Sequence, residues 1–76
     1  MIAYPSITFT ELIQKVQKLG FQKVRQKGSH IRFVHPDGRK TTIPDHGHTD
    51  VPKGLFNKII RYDLELSVDQ FWNYDL

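Results

Sequence analysis

The chain contains no cysteine, which excludes disulfide bracing, thiolate metal centres and thiol nucleophiles together. It has no apolar run long enough to span a bilayer, and its opening Met1-Ile2-Ala3-Tyr4-Pro5 lacks the charged and apolar regions of a signal peptide. A cytoplasmic location is therefore expected. Internal repeats, linkers and low-complexity segments are missing, and acidic residues are absent between Lys15 and Arg32, where six basic residues fall. What remains is a 76-residue sequence with 38% hydrophobic and 12% aromatic residues, the composition of a globular protein rather than a disordered tail. One domain over residues 1–76 is expected, with its folded core over about 8–72 and little stability to spare at this size.

The net charge of +3, from eleven Lys and Arg against eight Asp and Glu, is unevenly spread. The basic stretch from Lys15 to Arg32 is balanced by an acidic one from Asp63 to Leu76, with four carboxylates and no Lys or Arg. A positive front half attracts phosphate and speeds association with RNA or an acidic partner. On charge alone, a solvated basic surface with no ligand fits equally well.

Ile7-Thr8-Phe9-Thr10-Glu11-Leu12 has the makings of a helix start, with Thr8 as cap, Glu11 as its capping-box partner and Ile7 stapled onto Leu12. Phe9, Leu12, Ile13, Val16 and Leu19 follow at helical spacing up to Gly20. Three strands are predicted next, Phe21 to Gln26, His30 to His35 and Arg39 to Ile43, joined by Gly28-Ser29 and Pro36-Asp37-Gly38. Such tight connections make an antiparallel meander. Strand alternation sends Val24, Ile31, Phe33 and Ile43 inward, and Lys23, Arg25, His30, Arg32, Val34, Lys40 and Thr42 outward. Phe21 breaks that parity, which its position at the helix–strand junction accounts for.

After a polar loop, Asp45 to Asp50, a second helix carries Leu55, Phe56, Ile59, Ile60 and Tyr62 as its apolar stripe, with Lys53, Lys58 and Arg61 on the polar side. Ser67 and Gln70 form a second capping box, opening a short terminal helix whose Phe71 and Trp72 pack on the sheet or on the second helix. The fold class is α+β: α-β-β-β-α, with a three-stranded antiparallel sheet, two helices on one sheet face and a short C-terminal helix, similar to a double-stranded-RNA-binding domain.

The segment Arg25-Gln26-Lys27-Gly28-Ser29-His30 sets an imidazole beside several cations just past a turn. Imidazole exchanges protons near neutral pH, and cations hold phosphate, so the pattern suits a polyanion substrate. Together with Ile31-Arg32-Phe33-Val34-His35-Pro36-Asp37-Gly38-Arg39, Ile43-Pro44 and Gly54-Leu55, it resembles the HicA-type toxins, small metal-independent mRNA interferases of bacterial toxin-antitoxin pairs. The resemblance spans about Phe9 to Phe71. It implies the same α-β-β-β-α layout, and an endoribonuclease in which His30, the histidine of Gly-Ser-His, is catalytic. It also implies a HicB-type antitoxin that covers the active site and often represses the shared operon. The chain departs from the family in an extra N-terminal segment and in the loop from His46 to Pro52.

The expected site is thus His30 for proton transfer, with Lys23, Arg25, Lys27, Ser29 and Arg32 around the phosphate and Lys53 contacting RNA from the start of the second helix. The free protein is expected to be a monomer, and no metal or other cofactor is expected. His46 and His48, with Asp45 or Asp50, offer metal-ligand chemistry, but a flexible His and Asp loop is a poor substitute for a closed four-ligand shell; contact with RNA or the antitoxin is the other reading. His35 reads as a turn residue, and the aromatics of Phe71-Trp72-Asn73-Tyr74 as core rather than base-stacking groups. Two rivals need no chemistry: a non-catalytic RNA-binding module that uses the same face for phosphates, and an adaptor whose only ligand is a protein.

Overall fold

The structure, a computed structural model, describes residues 6–73; Tyr74, one of the terminal aromatics, lies outside them. Helix α1 (Phe9–Lys18) begins at the expected capping box. Thr8 Oγ1 accepts from Glu11 N at 3.1 Å, and Glu11 Oε1 accepts from Thr8 N at 2.9 Å. The other two unpaired donors of the first turn, Phe9 N and Thr10 N, go to Thr49 O at 3.1 Å and Gly47 O at 3.0 Å. The polar loop from Asp45 to Asp50 therefore serves the fold, since its carbonyls close the start of α1. At the other end Gly20 takes a φ of +107°, while Gly20 N and Phe21 N donate to Gln17 O and Val16 O, turning the chain into the sheet.

The Thr8 backbone N–H, and then its hydroxyl, hold the Glu11 carboxyl below the usual carboxylate range. A depressed folded-state pKa stabilises the fold above the unfolded-state value and ceases to do so as pH falls through the folded value. Thr8→Ala is expected to lose about 1 kcal/mol at neutral pH, measured by urea unfolding. Its deficit relative to wild type should shrink in acid, once Glu11 is protonated in both proteins.

Strands β1 (Gln22–Lys27), β2 (His30–Val34) and β3 (Lys40–Pro44) form an antiparallel sheet in the order β1-β2-β3. The expected parity holds for β2 and β3: Ile31, Phe33 and Ile43 are buried with Thr41, while His30, Arg32, Lys40 and Thr42 lie on the other face. It fails in β1. Lys23 pairs with Phe33 but Arg25 with Arg32, so a β-bulge falls at Val24. Val24 is 58% exposed, not inward. Lys23 shares the inner face with Phe33 instead of the outer one, and its Nζ donates at 2.8 Å to Gln26, which stands opposite Ile31. Phe21, buried at the head of the strand, keeps step with Lys23. The irregularity assigned above to Phe21 thus belongs to Val24.

Helix α2 (Lys53–Asn57) runs directly into a π-helical turn, Lys58–Asp63, where Leu64 N donates to Ile59 O at 2.9 Å, five residues back. With this wider turn, the inward position that follows Ile59 and Ile60 is Leu64 rather than Tyr62. Tyr62, expected in the stripe, is 78% exposed, while Leu64 is fully buried. Helix α3 (Val68–Asn73) opens with the expected box, Ser67 N to Gln70 Oε1 at 2.8 Å and Gln70 N to Ser67 Oγ at 3.0 Å. Its buried Phe71 meets Phe56 edge-on at 5.4 Å, and Trp72 stacks on Phe56 at 5.9 Å, so α3 packs on α2.

One face of the sheet therefore carries the core, where Ile31, Phe33 and Ile43 meet Phe9, Leu12 and Val16 of α1 and Ile59, Ile60 and Leu64 of the second helical segment. Polar groups stitch the layers together. The buried Thr41 hydroxyl donates to Asp63 Oδ2 at 2.9 Å, which also accepts from Lys58 Nζ at 3.0 Å. Arg39 Nη1 donates to Leu64 O at 2.6 Å, and its guanidinium lies 5.2 Å from the Phe21 ring centre.

Candidate functional site

Among the described residues no helix covers the opposite face of the sheet, and its geometry follows from a two-residue turn. Gly28 takes a φ of +60° as the first residue of the β1–β2 connection, where a type II′ hairpin needs glycine. Ser29 follows, and its carbonyl accepts from Asp45 N at 2.6 Å, which ties the hairpin to the end of β3. This fixes the first residue of β2, His30, between Lys27 on β1 and Pro44 on β3. Two residues on, Arg32 stands between Arg25 and Thr42.

These two rows enclose an open groove of about 260 Å³ lined by Arg25, Lys27, His30, Arg32 and Thr42. Among the described residues no carboxylate lines it. The His30 ring is exposed, and among the described residues no side chain hydrogen-bonds it. Arg32 is half-buried, with Nη1 donating to Thr42 Oγ1 at 3.2 Å. Arg25 directly opposite Arg32 is a like-charge cross-strand pair, an arrangement that destabilises the free protein. With Lys27 beside them and no carboxylate among the described lining residues, the groove concentrates positive charge, which attracts anions.

Of the residues singled out in the sequence, the groove gathers His30, Arg25, Lys27 and Arg32. Ser29 stands next to it and contributes its backbone. Lys23, turned by the bulge, points to the other face, and Lys53, exposed at the first position of α2, is not among the lining residues. Thr42 was missed as a site residue. Alternation placed it on the outer face, but only the β2–β3 register sets it against Arg32.

Two of the other three histidines, His35 and His46, pack elsewhere. The His35 ring packs against Phe21 at 5.0 Å, and a Cβ at Gly20 would come within 2.8 Å of its Nε2. His46 meets Phe9 edge-on at 5.1 Å. Among the described residues, no three His, Cys, Asp or Glu side chains converge on a common point where a metal ion would be held. A larger groove, about 540 Å³, runs between the π-helical turn and α3, but Glu65 and Asp69 line it alongside Arg61. That mixture of charge does not suit a polyanion.

Residues 9–63 match the family model described as HicA toxin of bacterial toxin-antitoxin. The chain belongs to the HicA toxin family. The match runs from the first residue of α1 through the whole sheet to the end of the π-helical turn, so every lining residue of the cationic groove lies inside the HicA segment and α3 lies beyond it. Membership makes the protein a toxin of a toxin-antitoxin system, with an antitoxin as its general partner. No curated protein matches the chain. Among the described residues no helix is long and apolar enough to cross a membrane.

Proposed function

We propose that this HicA-family protein is an endoribonuclease that holds messenger RNA in the cationic groove and cleaves it without a metal, His30 acting in proton transfer. The observation that carries the reading is the imidazole of His30, without a side-chain partner among the described residues, in a groove that Arg25, Lys27 and Arg32 line and that no described carboxylate enters. In the proposed reaction His30 takes the proton of a ribose 2′-hydroxyl, and the freed oxygen attacks the adjacent phosphorus. The bond from phosphorus to the 5′ oxygen breaks, leaving a 2′,3′-cyclic phosphate and a 5′-hydroxyl end. The guanidinium groups of Arg25 and Arg32 stabilise the charge that builds on the phosphorane. Lys27, across the strand pair from His30, protonates the leaving oxygen. A HicB-type antitoxin with an acidic surface would silence the toxin by occupying the same groove.

The test uses purified protein, a chelator, and two RNAs of one sequence, one of them 2′-O-methylated throughout. Cleavage of the unmodified strand alone, leaving cyclic phosphate ends, is the expected result. Binding of the methylated strand should weaken with salt with a log–log slope of about −2, as neutralisation of phosphates by three cations on a single strand predicts. Binding without cleavage would make the protein a non-catalytic RNA-binding module. Binding that ignores salt would point to the protein-binding adaptor.

A further inference from the structure

We propose that Thr42 is a positioning residue, whose hydroxyl holds the Arg32 guanidinium in the groove beside His30; this rests on the RNA-cleaving reading above. The three groove cations are not equivalent. Arg25 and Lys27 are exposed and, among the described residues, have no side-chain hydrogen-bond partner, whereas Arg32 is half-buried and donates from Nη1 to Thr42 Oγ1 at 3.2 Å. Arg25 and Lys27 can follow a phosphate as it arrives. Arg32 is already set in place.

Fixing one guanidinium nitrogen restricts the side chain before RNA binds and leaves the remaining N–H donors of the fork for phosphate oxygens. It also holds Arg32 against the repulsion of Arg25 directly opposite. Nothing in the packing calls for a hydroxyl at this position. Thr42 lies on the outer face and is half-exposed, and the buried hydroxyl next to it, that of Thr41, is the one that serves the core through Asp63. Valine would suit the strand equally well. The hydroxyl of Thr42 thus has Arg32 as its use, and Arg32 is directed to the place where the reacting phosphate would lie.

The experiment compares Thr42→Val, Thr42→Ser and each paired with Arg32→Ala. It reads single-turnover cleavage of RNA, affinity for the 2′-O-methylated strand, and the thermal midpoint. Thr42→Val is expected to slow cleavage about tenfold, through a loosened catalytic group, and to weaken binding about threefold with an unchanged thermal midpoint. Thr42→Ser, which keeps the acceptor, should behave as wild type. In the Arg32→Ala background Thr42→Val should have no further effect. Wild-type behaviour of Thr42→Val, a Thr42→Ser variant as impaired as Thr42→Val, or losses that add to those of Arg32→Ala would each overturn the proposal. Should the wild type bind RNA without cutting it, the cleavage reading falls, yet affinity still decides the role of Thr42: a loss that requires Arg32 supports it, and equal affinity overturns it.

Discussion

Replacing His30 with alanine is expected to lower the rate of RNA cleavage by about 10²–10⁴-fold, the usual worth of a positioned general acid or base, and to leave both fold and RNA affinity nearly intact. The separation follows from where the ring sits. His30 is exposed at the first position of β2, so its loss opens no cavity, and the hairpin before it is set by Gly28 and by the bond from Asp45 N to Ser29 O. Arg25, Lys27 and Arg32 all survive the substitution, so the attraction for phosphate survives with them. Cells that express the variant without antitoxin should grow, while wild-type expression should arrest them. Single-turnover cleavage measured beside binding gives the ratio directly. A His30→Ala protein that cuts as fast as wild type would move the base elsewhere in the molecule and end the proposed mechanism. One that neither binds nor cuts, with its thermal midpoint unchanged, would make the imidazole a binding group.

Much of this arrangement was legible in the sequence because it rests on short-range rules. Both capping boxes sit where Thr8 with Glu11, and Ser67 with Gln70, foretold them. Alternation in β2 and β3 gave the buried and open faces correctly, and the order of elements followed from turn residues and apolar spacing. The departures share one origin, a residue inserted into a regular repeat. The bulge at Val24 adds one to β1, and the i→i−5 turn adds one after Asn57. Neither is visible to a periodicity argument, since a bulge is defined by what the neighbouring strand pairs with, and the wider turn by what the helix packs on. Each insertion reversed the expected orientation of residues near it: Val24 and Lys23 in one case, Tyr62 in the other.

The same distinction governs the groove. A linear reading found the imidazole and the cations, because Arg25, Lys27, His30 and Arg32 are close in sequence. It had no means of choosing between Lys23 and Thr42, since the choice depends on register with β2. The loop from Asp45 to Asp50 was opaque for a related reason: it acts through its backbone. Gly47 and Thr49 give their carbonyls to α1, and Asp45 gives its N–H to Ser29. One polar segment thereby joins the start of the first helix to the turn that presents His30. Its histidines drew attention in the sequence, yet in the structure its main-chain groups bear the connections.

Phe33→Ala should have the largest effect on stability, a loss of about 3–5 kcal/mol of the kind measured when a buried phenylalanine is truncated. Phe33 is fully buried on the central strand of the sheet. A globular protein has roughly 5–15 kcal/mol in total, and a 76-residue chain without disulfides falls toward the lower end. The variant should therefore be largely unfolded at 37 °C, seen as a lost cooperative urea transition and lost far-ultraviolet dichroism. Phe33→Leu, which refills most of the space, should retain a transition with a lowered midpoint. Activity should vanish with the fold, although Phe33 never touches the groove, because β2 carries Ile31 and Phe33 on one side and His30 and Arg32 on the other. The inner side chains anchor the strand, and alternation then fixes the outer ones at the spacing a phosphate meets. If Phe33→Ala melted like wild type, the core would not be what holds this strand, and the positions of His30 and Arg32 would need another cause. Loss of stability with Phe33→Ala, set against loss of chemistry alone with His30→Ala, separates the two faces of one five-residue strand.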